Sequence, residues 1–163
     1  MHLASDKWFD GSWWEADLPD TWQLTEKSAQ HIRLAENKSR VLIGFRKGCK
    51  LHEISRRDYP PDAENPSESE IWAYTSTKTL SEWWPASLLF PFLHSSITKV
   101  SLGCLSGYTC NRSKGLTGEI WSGYLSSSNN EWGVYVRLEG TASKMKSNQH
   151  SIADVLASIE FRA

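Results

Sequence analysis

An excess of charge of one sign is missing from this sequence. Its 18 lysines and arginines are matched by 19 aspartates and glutamates, for a formal net charge of −1. Such a balance supplies no field to draw nucleic acid or an acidic membrane surface, so neither is an expected partner. Long apolar runs are missing too: no stretch reaches the ~18 residues that span a bilayer. The start, "MHLASDKWFDGSWW", has neither the basic opening nor the apolar run of an export signal. Cysteine is scarce. Cys49, Cys104 and Cys110 form an odd set, which leaves at least one thiol unpaired in a monomer. If "KVSLGCLSGYTC" runs as a straight strand, Cys104 and Cys110 stand about 20 Å apart, far beyond the ~7 Å between Cα atoms that a disulfide tolerates. Reduced thiols and a cytoplasmic location are expected. The triplets Asn37-Lys38-Ser39 and Asn111-Arg112-Ser113 then match a glycosylation acceptor by chance. "SLGCLSG" lacks the Gly-Lys-Ser/Thr ending of a phosphate loop, and no internal repeat is present.

What the sequence does have is tryptophan, nine in all. Three fall in "GSWWEADLPDTW", residues 11 to 22. There Trp14, Ala16 and Leu18 share one side of a strand, with Glu15 and Asp17 on the other. Pro19 and Asp20 stop it in turn chemistry, and Trp22 and Leu24 start again beyond. This spacing makes the indoles a fold signature, with Trp14 and Leu18 in the core and Trp13 on the opposite face.

"HIRLAENKSRVLIGFRKG" reads as two strands joined at Glu36-Asn37-Lys38. "ITKVSLGCLSGYTCNRS" reads as a strand, its glycines marking a bend or a close approach. "GEIWSGYL" and "EWGVYVRLEG", joined by "SSSNN", make the strongest hairpin signal. In its second arm Trp132, Val134, Val136 and Leu138 share a face, with Tyr135 and Arg137 opposite. "SIADVLASIEF" sets Ile152, Val155, Leu156 and Ile159 at helical spacing behind the capping candidates Ser147 and Asn148. Ile159-Glu160-Phe161 then closes as a short strand. The middle differs. "RRDYPPDAENPSESE" is rich in proline and charge and marks a surface loop or disordered insertion over residues 48–70. One helix, interrupted at Pro85, is expected between Thr77 and Leu93. The whole, residues 1–163, reads as a single α+β domain.

The hairpin-like start ending in "ADLPDTW", the strand "LSGYTCNRS", the hairpin "GEIWSGYL…EWGVYVRLEG" and the closing "IADVLASIEFR" together resemble the PsbP/Mog-like family. The likeness lies in pattern and order over residues 8–47 and 97–162; "LPDTW" and "VLASIEF" are its most specific parts. It implies an antiparallel β-sheet flanked by helices, a three-layer α/β/α sandwich. Its members include a photosystem II extrinsic subunit and a nuclear-transport factor that binds a small GTPase, with no shared catalytic centre. The sequence departs from the pattern between Gly48 and Ser96, where a cleaner helix would stand, so no functional residue is carried over.

No chemistry-bearing set stands at recognisable spacing. Cys49 and His52 have no second pair to complete a zinc site, and His31, His94 and His150 are scattered singly. Cys104 fits a small apolar filler better than a nucleophile. Asp58, Asp62, Glu64, Glu68 and Glu70 lack the rhythm of a calcium loop. No metal or cofactor is expected. The aromatic set stands out instead. Trp83 and Trp84 are adjacent and precede Pro85, so both cannot face one core from a regular helix. With Phe90 and Phe92 they are the candidate partner-binding residues, for an unidentified protein partner or for self-association. The favoured reading is a non-enzymatic protein-binding module of a bacterial cytoplasm. The alternative is a small hydrolase or metal-dependent enzyme with a site assembled from scattered residues.

Overall fold

The alternating segments become strands because each has one face to bury and a turn at each end. The computed structural model describes residues 1–47, 97–129 and 131–163. They form ten strands and one helix: β1 (His2–Ala4), β2 (Trp13–Asp17), β3 (Gln23–Lys27), β4 (His31–Glu36), β5 (Ser39–Lys47), β6 (Ile97–Leu102), β7 (Leu105–Lys114), β8 (Gly118–Ser127), β9 (Trp132–Thr141), α1 (Ala142–Ser158) and β10 (Glu160–Arg162). Seven strands make one antiparallel sheet in the order β3-β4-β5-β9-β8-β7-β6, and β1-β2-β10 make a second.

The expected hairpins form where the turn chemistry placed them. Asn37 carries β4 into β5 with a φ of 50°, in the left-handed region that asparagine tolerates. β8 and β9 pair along nearly their full length. The segment expected as one strand is instead the hairpin β6–β7, which turns at Gly103 and Cys104. Gly103 has φ +63°, and a Cβ there would lie 2.3 Å from the Ala157 carbonyl oxygen, so the turn lies directly on the last turn of α1.

One core occupies one face of the large sheet. Ile32 and Leu34 of β4, Val41, Ile43 and Phe45 of β5, and Val134, Val136 and Leu138 of β9 share that face. α1 lays Met145, Ile152, Val155 and Leu156 against them. The helix begins at Ala142 with Thr141 as its N-cap, ahead of the expected caps Ser147 and Asn148. Its first amide donates to the Thr117 carbonyl of the β7–β8 turn, which replaces a side-chain cap. Asn148 is buried and donates to Ser39 Oγ at 2.8 Å.

Beside α1, on the same face, sits the small sheet. Trp14 is fully buried, as are Ala16 and Leu18, while Trp13 is only partly covered. The opening tryptophan cluster is thus a fold signature.

The described residues do not make the expected three-layer α/β/α sandwich. Among the described residues the fold is β-rich, with α1 as its single helix. The described layer over the large sheet is mixed: β1, β2 and β10 hydrogen-bond to one another and stand beside α1 on the same face, where the resemblance implied helix alone. The expected helix between Thr77 and Leu93 and the loop at 48–70 lie outside the described residues.

Candidate functional site

The other face of the large sheet carries a different set of side chains. Strand register places Arg33 of β4, Leu42 of β5 and Arg137 of β9 in one cross-strand row. Ala35, Arg40 and Glu139 form the next. Lys114, on β7, falls on the same face because it is opposite Gly118, which is opposite Thr141. These residues, with Thr25 of β3, line an open groove of about 510 Å³.

Glu139 is its hub. Arg40 sits directly opposite in the β5–β9 register and donates to Glu139 Oε2 from Nε at 2.8 Å and from Nη2 at 2.7 Å. Lys114 Nζ reaches Oε1 at 3.3 Å, and Arg137 Nη2 donates to the same oxygen. Burial by itself would raise the Glu139 carboxyl. The Arg40 hydrogen bond and the nearby Arg137 and Arg40 charges outweigh it, so the group titrates below its usual range. Arg137 is 7% exposed, whereas Arg40 keeps 73% of its side chain in solvent and Lys114 keeps 51%. A buried guanidinium needs a carboxylate beside it. The two outer cations do not, and they leave donors facing the groove mouth. Arg33 is paired on its flank with Glu26, Nε to Oε2 at 3.0 Å.

A second cluster adjoins this groove at the β3–β4 turn. Ser28 Oγ lies 3.1 Å from His31 Nδ1, and His31 Nε2 lies 2.8 Å from Glu26 Oε1. The contact with His31, foremost, lowers the Glu26 carboxyl. This order of hydroxyl, imidazole and carboxylate is that of a hydrolytic triad. Its function here is different: Ser28 Oγ accepts the backbone amides of Gln30 and His31, at 3.2 and 3.1 Å, so its lone pairs brace the turn. An oxygen engaged this way is a poor nucleophile.

The other candidates from the sequence resolve as follows. Cys104 lies in the β6–β7 turn and not within a strand; its thiol donates to the Ile159 carbonyl at 3.4 Å, and burial raises its pKa, the reverse of an activated nucleophile. Cys110 is buried with its Sγ 3.6 Å from Ser122 Oγ. Among the described residues no three His, Cys, Asp or Glu side chains cluster as metal ligands. Trp83, Trp84, Phe90 and Phe92 lie outside the described residues, as do Cys49, His52 and the carboxylates of 58–70. No helix of the described residues is long and apolar enough to cross a membrane.

Of the described residues that line the groove, Arg137 was read from the sequence only as lying on the outer side of its strand, and none was a candidate site residue. One signal was present: Arg137 and Glu139 alternate on one face of an otherwise apolar strand, "WGVYVRLEG". Their partner Arg40 enters only through the pairing of β5 with β9, across 99 positions.

No protein family model matches the chain, and no curated protein does. Solved structures do. A protein of Bacteroides thetaiotaomicron matches with a TM-score of 0.51 and 13% identity over 93% of this chain and 46% of its own. The chain therefore spans less than half of that protein's length, and the likeness is one of fold. LpqN, involved in cell envelope biogenesis of Mycobacterium tuberculosis, matches with a TM-score of 0.46 and 8% identity over 99% of this chain and 92% of its own. A point mutant of protein Mog1 matches with a TM-score of 0.35 and 8% identity over 97% and 87%.

Proposed function

We propose that this chain is a non-enzymatic binding module that engages a protein partner through the groove beside β9. One observation carries the reading: three cations converge on Glu139, two of them mostly or half in solvent, around an open cleft. A carboxylate satisfied by three donors is a poor base, so the cluster is suited to holding a shape and a charge. The exposed cationic ends of Arg40 and Lys114 are what a partner would meet. The resemblance of the sequence to the PsbP/Mog-like family agrees with a binding role. A cytoplasmic location is proposed on the strength of the reduced thiols.

The aromatic residues Trp83, Trp84, Phe90 and Phe92 are proposed as a second contact, for the partner or for self-association. The test uses a photoreactive amino acid at Thr25, in the groove, and separately at Trp84, in the full chain. Crosslinking to a discrete protein from Thr25 is the expected result. An adduct from Trp84 alone moves the interface to the aromatic segment, and no adduct from either position ends the reading. Light scattering on Trp83→Ala and Trp84→Ala separates self-association from hetero-binding by the size of the particle.

A further inference from the structure

We infer that β6 is a docking edge for a second copy of this chain, the two copies pairing antiparallel about a two-fold axis at Val100. Sheet edges expose backbone donors and acceptors, and proteins blunt them with bulges, charges or short strands. Among the described residues, three of the four sheet edges are blunted in this way. β3 carries a register break between Leu24 and Glu26 and ends in Glu26 and Lys27. β1 and β10 have three residues each. β6 is the exception. Its six residues, "ITKVSL", run in unbroken register with β7, with no proline and one charge, Lys99.

Register decides which backbone groups face outward. Leu102 and Leu105 flank the two-residue turn at Gly103 and Cys104, so they close the hairpin as a hydrogen-bonded pair. Alternation back along β6 turns Val100 and Thr98 toward β7 as well, and points the N–H and C=O of Lys99 and Ser101 away from it. Thr98, Lys99 and Ser101 are exposed, while Val100 and Leu102 are half-buried against the core.

The strand is its own complement. Centred on Val100, the pairing sets that side chain against its mate in a non-hydrogen-bonded pair, where side chains come closest. Thr98 falls opposite Leu102, and Lys99 exchanges backbone hydrogen bonds with Ser101 on each side of the axis. The axis stands perpendicular to the sheet, so the apolar flanks of Val100 and Leu102 cover their counterparts on one continuous face. A pairing centred on Lys99 would put two ammonium groups directly opposite, which is destabilising, so the one charge selects the register. Lys99 contributes only backbone, and its side chain keeps the partners it has. The grooves of both copies would open on the same side of the joined sheet.

The first measurement is sedimentation of the full chain at rising concentration, with Ser101→Pro alongside. The Ser101 N–H faces outward, so proline removes no bond to β7, and circular dichroism verifies the fold. A reversible dimer is expected, its dissociation constant raised about tenfold or more by the proline. The second measurement is mild oxidation of Val100→Cys and of Ser101→Cys, with the native chain as baseline. In this register the two copies of position 100 stand about 4.5 Å apart between Cα atoms, within disulfide range, whereas those of position 101 are diagonal at about 8 Å. A crosslinked dimer from Val100→Cys, and not from Ser101→Cys, is expected. A chain that is monomeric at every concentration overturns the inference, as does a dimer that a folded Ser101→Pro leaves intact. Preferential crosslinking of Ser101→Cys overturns the register and the two-fold pairing with it. Where Ser101→Pro does not fold, the cysteine pair alone decides, by the same two results. A dimer lost in Trp83→Ala or Trp84→Ala but kept in Ser101→Pro returns self-association to the aromatic segment and overturns β6 as the edge. The groove is tested separately, by the Thr25 crosslink.

Discussion

The ring of Trp14 lies stacked on that of Phe45, centroids 4.1 Å apart and planes 10° from parallel. The pair joins the two sheets, β2 to β5. Trp132 repeats the device from β9, stacking on Phe161 of β10 at 4.8 Å and meeting Trp8 edge-on at 5.3 Å. Each contact adds about 0.5–1.5 kcal/mol beyond the area it buries. The Trp14 indole also donates to the Ala29 carbonyl at 2.8 Å, which removes the cost of burying its N–H.

Trp14→Ala is therefore expected to cost about 3–5 kcal/mol of stability, the range for a large aromatic truncated in a core. Trp13→Ala should cost far less, because that ring is only partly covered and its contacts are to Glu15 and Lys7 at the surface. Urea unfolding of the two variants decides it. Equal effects would mean that β2 is out of register.

Glu139→Gln removes the carboxylate beside the buried Arg137, and breaking such a pair costs about 3–5 kcal/mol. The pH dependence follows from the direction of the shift. The folded carboxyl sits below its ordinary 4.5, so its contribution is full above that value and disappears as pH falls through the lower, folded one. Stability measured in urea from about pH 7 down to about pH 3 should fall less steeply for Glu139→Gln than for the native chain. Parallel curves would refute the role of this carboxylate.

The thiols give a third test. Cys110 is 3% exposed, and burial raises the Cys104 thiol, so both should react slowly with iodoacetamide in the native state. All three cysteines should titrate in denaturant without prior reduction. A shortfall would reveal a disulfide and count against a reducing location.

Gly103 and Gly115 have φ of 63° and 64°. Only at Gly103 would a Cβ strike backbone, at the Ala157 oxygen; at Gly115 there is open space. Gly115→Ala should then cost about 1 kcal/mol, for conformation alone. Gly103→Ala should cost more and should loosen the end of α1, which hydrogen exchange of residues 155–158 would register.

A fluorophosphonate probe should leave Ser28 unlabelled, since its oxygen accepts two backbone amides. A Ser28 adduct seen by mass spectrometry would favour the hydrolase alternative over the binding module.

What the sequence determined by itself was local. The alternation of Trp14, Ala16 and Leu18, the Asn37 turn, the β8–β9 hairpin and the spacing of Ile152, Val155 and Leu156 are each legible because a single face of a single element must be buried. The helix starts ahead of Ser147, at Ala142, because its first amide is satisfied by Thr117, a residue outside the helix. The β6–β7 turn was missed because nothing beside Gly103 announces that α1 will press on it.

Only the tertiary structure decided the rest. That β1, β2 and β10 would pair into a sheet beside α1 depends on joining the two ends of the chain. That Arg40 would meet Glu139 depends on the register of β5 against β9. Burial periodicity acts within one element, whereas ion pairs and sheet order arise between elements far apart in sequence. The candidate groove belongs to that second kind, so its residues were visible in the sequence and their meeting was not.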